Sequence, residues 1–144
     1  VPQKIYLIDD TISNNITLSS SLGLQNLNQE KFNEVINLSK LNDLYSKGEI
    51  ERMGGERGVR LSGGQIQKIG IARALFKKTD LLIIDEGTVA IDSKSETDII
   101  SNILSLDHKP TIIFITHKTS LFKYFDLVYE VNDGEVKEKN KAEL

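Results

Sequence analysis

An α/β fold is predicted for these 144 residues, with parallel strands and flanking helices, a small helical subdomain and a C-terminal β-hairpin. Three features predict it. Two short apolar runs, Leu-Leu-Ile-Ile at 81–84 and Ile-Ile-Phe-Ile at 112–115, stand on either side of a segment with helical periodicity. A strand, helix and strand in that order close as a right-handed parallel crossover. Asp133-Gly134 separates two further β-prone runs and marks a hairpin. The chain before residue 48 is polar and rich in asparagine, with apolar residues spaced for short amphipathic helices.

In that N-terminal part Phe32, Val35, Ile36 and Leu38, then Leu41 and Leu44, recur at helical intervals from about residue 11 to 48. Six glycines among charges (Gly48, Gly54, Gly55, Gly58, Gly63, Gly64) make 48–64 a loop by composition. A helix from about 65 to 78 follows. It puts Ile66, Ile69, Ala72 and Phe76 on one side and Gln67, Lys68, Lys77 and Lys78 in water. Its basic end suits the helix dipole.

Residues 81–84 are then a continuous apolar run stopped by Asp85 and Glu86, as in a strand buried on both faces of a parallel sheet. Ser93 and Glu96 have the spacing of a capping box opening a helix that buries Ile99, Ile100, Ile103 and Leu104. Pro110 ends that helix. A second strand over 111–116 runs to His117, a short helix covers about 119–125, and 127–131 and 135–137 flank the hairpin turn before a charged tail.

Composition narrows the function. With 39% hydrophobic residues the chain can bury a core as one domain. A net charge of −3, with basic and acidic residues interspersed, lacks the field of a nucleic-acid binder. No run approaches the roughly 18 apolar residues of a membrane span, so membrane contact would be peripheral or through a partner. With no cysteine there is no disulfide framework, and two histidines are too few for a metal site of their own. Val1-Pro2, without an initiator methionine or signal pattern, reads as part of something longer.

Three places carry chemistry. Leu61-Ser62-Gly63-Gly64-Gln65 sets a hydroxyl and two glycines at a helix start, where free N–H groups and the dipole favour an anion such as a phosphate oxygen. The plain alternative is a glycine loop with a serine cap. From average residue usage, though, the pentapeptide arises by chance in only roughly one chain of this length in several thousand. Asp85 and Glu86 end a strand at the side of the sheet where open α/β folds bind ligands. Such a pair can hold Mg²⁺ through water and orient an attacking water, or simply mark the strand end in solvent. His117 ends the neighbouring strand, which would bring it to the edge that carries Glu86.

The order of these motifs resembles the ABC ATPase family, from its glutamine loop to its C-terminus, over nearly the whole chain. Val1-Pro2-Gln3 is similar to the glutamine loop. Thr11-Ile12 with Asn15-Ile16, and Gly55-Glu56-Arg57-Gly58, are similar to exporter segments, with Glu56 near the intracellular loops of a transmembrane domain. Residues 61–65 match the signature, 81–85 the Walker B strand, Glu86 the catalytic glutamate, Asp92 the D-loop aspartate and His117 the switch histidine. Gly87, Val89, Ile91 and Lys118 depart from the commonest residues of the pattern.

The resemblance implies a P-loop NTPase core truncated before its helical part. Residues 1–10 are then the glutamine loop, 11–75 a helical subdomain with the signature, and 76–144 the later part of the ATPase core. It implies ATP and Mg²⁺ as ligands, with Glu86 and His117 catalytic, Asp85 and Gln3 at the metal, and Gln3, Leu61, Ser62, Gly63, Gly64, Gln65 and Asp92 at the nucleotide. It further implies a transmembrane partner domain, a second nucleotide-binding domain in a head-to-tail dimer, and a place at the cytoplasmic face of the cell membrane. The 144 residues contain no G-x-x-x-x-G-K-[ST], the loop that cradles phosphates, so the chain by itself is expected to be inactive. Two rivals remain open: the C-terminal lobe of an SMC-like chromosome-maintenance ATPase head, and a non-catalytic cassette module.

Overall fold

The computed structural model describes residues 1–18, 28–54 and 61–140. The segment Gly55-Glu56-Arg57-Gly58 and the end of the charged tail lie outside the described residues. Strand β1 (Asp10–Thr11) leads into helix α1 (Ile12–Thr17), followed by α2 (Gln29–Leu38), α3 (Asn42–Ser46) and β2 (Met53–Gly54). Then come α4 (Gly63–Lys77), β3 (Leu81–Asp85), α5 (Ser93–Leu104) and β4 (Thr111–Ile115). A 3-10 turn (Thr119–Tyr124) and the hairpin strands β5 (Tyr129–Asn132) and β6 (Glu135–Glu138) close the described chain.

The helical subdomain forms because short helices with polar caps share one apolar face. Thr11 caps α1 by accepting from the Asn14 N–H, and Asn28 caps α2 by accepting from Lys31. Phe32, Val35 and Ile36, at i, i+3 and i+4 of α2, share one buried cluster with Ile12 and Ile16 of α1, Ile69 and Ala72 of α4, and Leu41, Leu44 and Ile50. Each such side chain contributes about 1.5–3 kcal/mol on full burial. Part of the expected 48–64 loop is ordered as β2, which pairs antiparallel with β1, Asp10 opposite Gly54.

Helix α4 serves two cores. Ile69 and Ala72 enter the first, while Ile71 joins Leu82, Ile84, Ile91, Ile99 and Ile103 in a second, beneath the sheet. A helix that packs on two sides has little face left for water. Gln67, expected in water, is accordingly buried. The Arg73 guanidinium clips the N-terminal segment to α4, donating to the carbonyl oxygens of Asn15 (2.8 Å) and Tyr6 (3.2 Å). Burial there lowers its pKa from the usual arginine value.

Strands β3 and β4 are parallel, in register from Leu81 opposite Thr111 to Asp85 opposite Ile115, as the crossover argument requires. Helix α5 covers one face only. Leu82 and Ile84 are buried, whereas Leu81, Ile83, Ile113 and Ile115 are each more than 40% exposed, so β3 is not covered on both faces among the described residues. Helix α5 also starts differently from its predicted capping box. Asp92, not Ser93, is the cap, accepting from the Ser95 N–H at 2.9 Å, and Glu96 turns inward. Leu104, expected in the core, is 39% exposed. The hairpin turn matches expectation, with Asp133 (φ 50°) and Gly134 (φ 81°) both left-handed between the Asn132–Glu135 pair.

Candidate functional site

The carboxyl end of the β3–β4 pair gathers side chains from three distant parts of the sequence. Glu86 follows β3 directly, and its N–H still donates to the Ile115 carbonyl (3.0 Å), which fixes its backbone to the sheet edge. It then turns sharply, with φ 46°, a conformation that a side chain with a Cβ adopts at a cost. On the neighbouring strand the chain runs past Ile115 to His117, whose Nε2 lies 2.9 Å from Glu86 Oε1. Gln3 donates from its Nε2 to Glu86 Oε2. Both carboxylate oxygens are thus held, one by each flanking segment, while the imidazole remains 92% exposed and accessible to a ligand.

Gln3 reaches this place because the start of the chain lines the free edge of β3. The Asp85 N–H donates to the Val1 carbonyl at 2.9 Å, and the Val1 nitrogen donates to the Ile83 carbonyl at 2.6 Å. Asp85 presents an exposed carboxylate on the face opposite Ile84. Among the described residues no three His, Cys, Asp or Glu side chains cluster as a metal site. One exposed aspartate beside Gln3 and Glu86 does fit Mg²⁺, which takes one or two carboxylates and fills its shell with water and phosphate oxygens. It does not fit a metal that needs three side-chain ligands.

Residues 61–65 lead into and begin α4. Ser62 and Gln65 form a reciprocal capping box, the Gln65 N–H donating to Ser62 Oγ (3.2 Å) and the Ser62 N–H to Gln65 Oε1 (2.8 Å). Leu61 packs against the first core. Gly63 and Gly64 lie on the loop that follows Glu86: a Cβ on Gly64 would stand 2.8 Å from the Ala90 carbonyl oxygen, so only glycine lets the two segments meet. Asp92 ends that loop as the cap of α5. The Ser95 N–H, with a smaller contribution from Lys68, holds its carboxyl below the usual range.

The structure therefore brings together Gln3, Glu86 and His117, with Asp85 adjoining, and places residues 61–65 and Asp92 together at a second place on the 87–92 loop. Three residues with clear roles in holding this arrangement were missed from the sequence. Gln67 accepts from the Ala90 N–H at 2.7 Å. Glu96, only 2% exposed, takes both its hydrogen bonds from Lys118 Nζ, at 3.0 and 2.8 Å, and so ties α5 to the residue after His117. Arg73 is the third. The signal for Gln67 was its spacing, since 67, 71 and 74 share one stripe of α4 with Ile71 and Ala74. A cavity of about 610 Å³ lies elsewhere, against Leu82, His108 and Pro110 toward the amino ends of the strands.

The sequence model of the family described as ABC transporter matches residues 1–89, more than half of the chain. The chain belongs to the ABC transporter family. Among similar proteins, the ATP-dependent lipid A-core flippase of Aliivibrio fischeri is 39% identical over 145 residues, covering 100% of this chain and 25% of its own length. That of Photobacterium profundum is 38% identical over 139 residues, covering 96% of this chain and 24% of its own. The multidrug resistance-like ATP-binding protein MdlA of Buchnera aphidicola is 36% identical over 148 residues, with 100% and 25% covered. Among solved structures, a bacterial Atm1-family ABC exporter with ATP bound superposes with a TM-score of 0.85 at 28% identity, over 99% of this chain and 25% of that one. The chain thus spans about a quarter of the length of the ABC transporters it matches. Its α/β architecture is that of the ABC ATPase fold.

Proposed function

We propose that this chain is the later part of the nucleotide-binding domain of an ABC exporter and contributes the hydrolytic side of an ATP site. The observation that carries the proposal is the convergence of Gln3, Glu86 and His117 at the carboxyl end of two parallel strands. Residues 1–10 act as the glutamine loop, 11–75 as a helical subdomain that ends in the signature helix, and 76–144 as the later part of the ATPase core.

In this reading Glu86 is the general base that accepts a proton from the attacking water. His117 exchanges the carboxylate for a γ-phosphate oxygen, which frees Glu86 Oε1 toward the water. Asp85 and Gln3 would hold Mg²⁺, which when bound neutralises charge developing on the phosphates. Leu61, Ser62, Gly63, Gly64 and Gln65 present the exposed start of α4 to nucleotide held by a second nucleotide-binding domain, in a head-to-tail dimer. Asp92 stands at the same surface. A transmembrane partner domain carries the cargo path, with this domain at the cytoplasmic face of the membrane.

The 144 residues hold no phosphate-cradling P-loop sequence, so by themselves they neither bind ATP tightly nor turn it over. Coverage of nearly the whole chain by exporter-type transporters supports this reading over an SMC-like ATPase head. The intact Glu86–His117 pair supports it over a non-catalytic cassette.

The test is reconstitution of the complete protein in lipid vesicles, with ATP hydrolysis and ATP-dependent movement of a fluorescent lipid followed together. We expect both, with both stopped by Glu86→Gln. ATP-independent movement, or no hydrolysis by the wild type, would contradict the proposal.

A further inference from the structure

Glu86 is held in a left-handed turn that its own strand does not enforce, and one group holding it comes from α4. The Gln67 side chain is 8% exposed and lies between α4 and the loop after β3. Its Oε1 accepts from the Ala90 N–H at 2.7 Å, and its Nε2 faces the Glu86 carbonyl oxygen at 3.5 Å. The same carbonyl accepts from the Val89 N–H at 3.3 Å, closing a tight turn over 86–89. One amide thereby grips both ends of the segment that starts at Glu86. A buried side-chain amide has few alternatives to these partners, and a turn with a positive φ at a non-glycine residue persists only when its surroundings over-determine it.

Gly64 seals the same contact one helical turn earlier, with no room for a Cβ against Ala90. Helix α4 is itself anchored in both cores and by Arg73, so it offers a rigid reference. We infer that Gln67 is a positioning residue for Glu86: it fastens the 86–90 turn to the helix that begins at Ser62 and so sets where the carboxylate stands. The inference rests on the reading of Glu86 as general base. Gln67 touches neither nucleotide nor water in this scheme and acts only through the backbone of Glu86 and Ala90.

The experiment measures kcat and KM for ATP in the complete protein, with the folded fraction determined for each variant. Wild type, Glu86→Gln, Gln67→Ala and Gln67→Glu are compared. Gln67→Ala removes both contacts. Gln67→Glu keeps the volume and the acceptor for Ala90 but turns an acceptor toward the Glu86 carbonyl, and it decides the matter if Gln67→Ala does not fold. Both Gln67 variants are expected to lose kcat per folded molecule by roughly ten- to a hundred-fold, the range for a misplaced catalytic group, with KM nearly unchanged. Wild-type kcat in the Gln67 variants, beside an inactive Glu86→Gln, would overturn the inference and leave the base assignment standing. A fall in activity that only tracks the folded fraction would also overturn it. Wild-type hydrolysis by Glu86→Gln would remove the base assignment, and the inference with it.

Discussion

Ser62 has two separable duties, and substitutions can tell them apart. Its hydroxyl caps α4, and in the proposed dimer it faces a phosphate. Asp is as good a cap as Ser, so Ser62→Asp is expected to leave stability within about 0.5 kcal/mol of wild type. It would also set a negative charge where a phosphate must approach, and the complete protein should lose ATP hydrolysis by more than about ten-fold. An unaltered rate, measured beside a chemical denaturation curve, would reduce residues 61–65 to a helix start. Glu86, His117 and Gln3 were legible in the sequence because each belongs to a recognisable motif, two of them at strand ends, and strand ends in a parallel sheet converge. Gln67 and Glu96 were not. A lone polar residue at helical spacing looks the same in one dimension whether it meets solvent or a backbone amide across the fold.

The start of α5 shows how an element can be read with the right type and the wrong terminus. Asp92 and Ser93 are both good caps, and Glu96 suited a box only with Ser93. Asp92 wins by accepting from Ser95, which leaves Glu96 one position further along the helix and turned under Lys118. Because that Ser95 bond depresses the Asp92 carboxyl, the stability it adds is fully present above the ordinary Asp value of about 3.9 and is lost as pH falls through the lower folded value. Asp92→Asn, which caps without titrating, should therefore flatten the acid limb of the stability–pH curve of the complete protein. An unchanged limb would show that the cap does not titrate there. Lys118→Met leaves the Glu96 carboxylate buried without its cation and should cost about 3 kcal/mol in chemical denaturation, whereas Lys118→Arg should be tolerated. A Lys118→Met variant as stable as wild type would contradict the pairing.

Among the described residues two cores are joined by one helix, and a pair of strands is covered on one side. The sequence periodicity located both cores, since apolar residues at intervals of three and four or in unbroken runs need a buried face. What periodicity does not encode is which other segment supplies the cover, and so β3, expected to be buried on both faces, exposes Leu81 and Ile83 beside the exposed Ile113 and Ile115 of β4. Among the described residues β4 pairs only with β3, so its other edge offers unpaired N–H and C=O groups beside that apolar face. The 144 residues on their own are therefore expected to self-associate. Sedimentation across a concentration series, with hydrogen exchange read at 111–116, should show larger species and weak protection of those amides in the monomer. A stable monomer with the same amides strongly protected would contradict this.

If Glu86 activates water at an ATP site, single-turnover hydrolysis of γ-labelled ATP by the complete protein must depend on its carboxylate. Glu86→Gln keeps the shape and one acceptor oxygen for Gln3 or His117 but removes the base. ATP should bind to this variant about as tightly as to the wild type, with phosphate release slowed by about a hundred-fold or more. Phosphate release at the wild-type rate from the Glu86→Gln protein would contradict it.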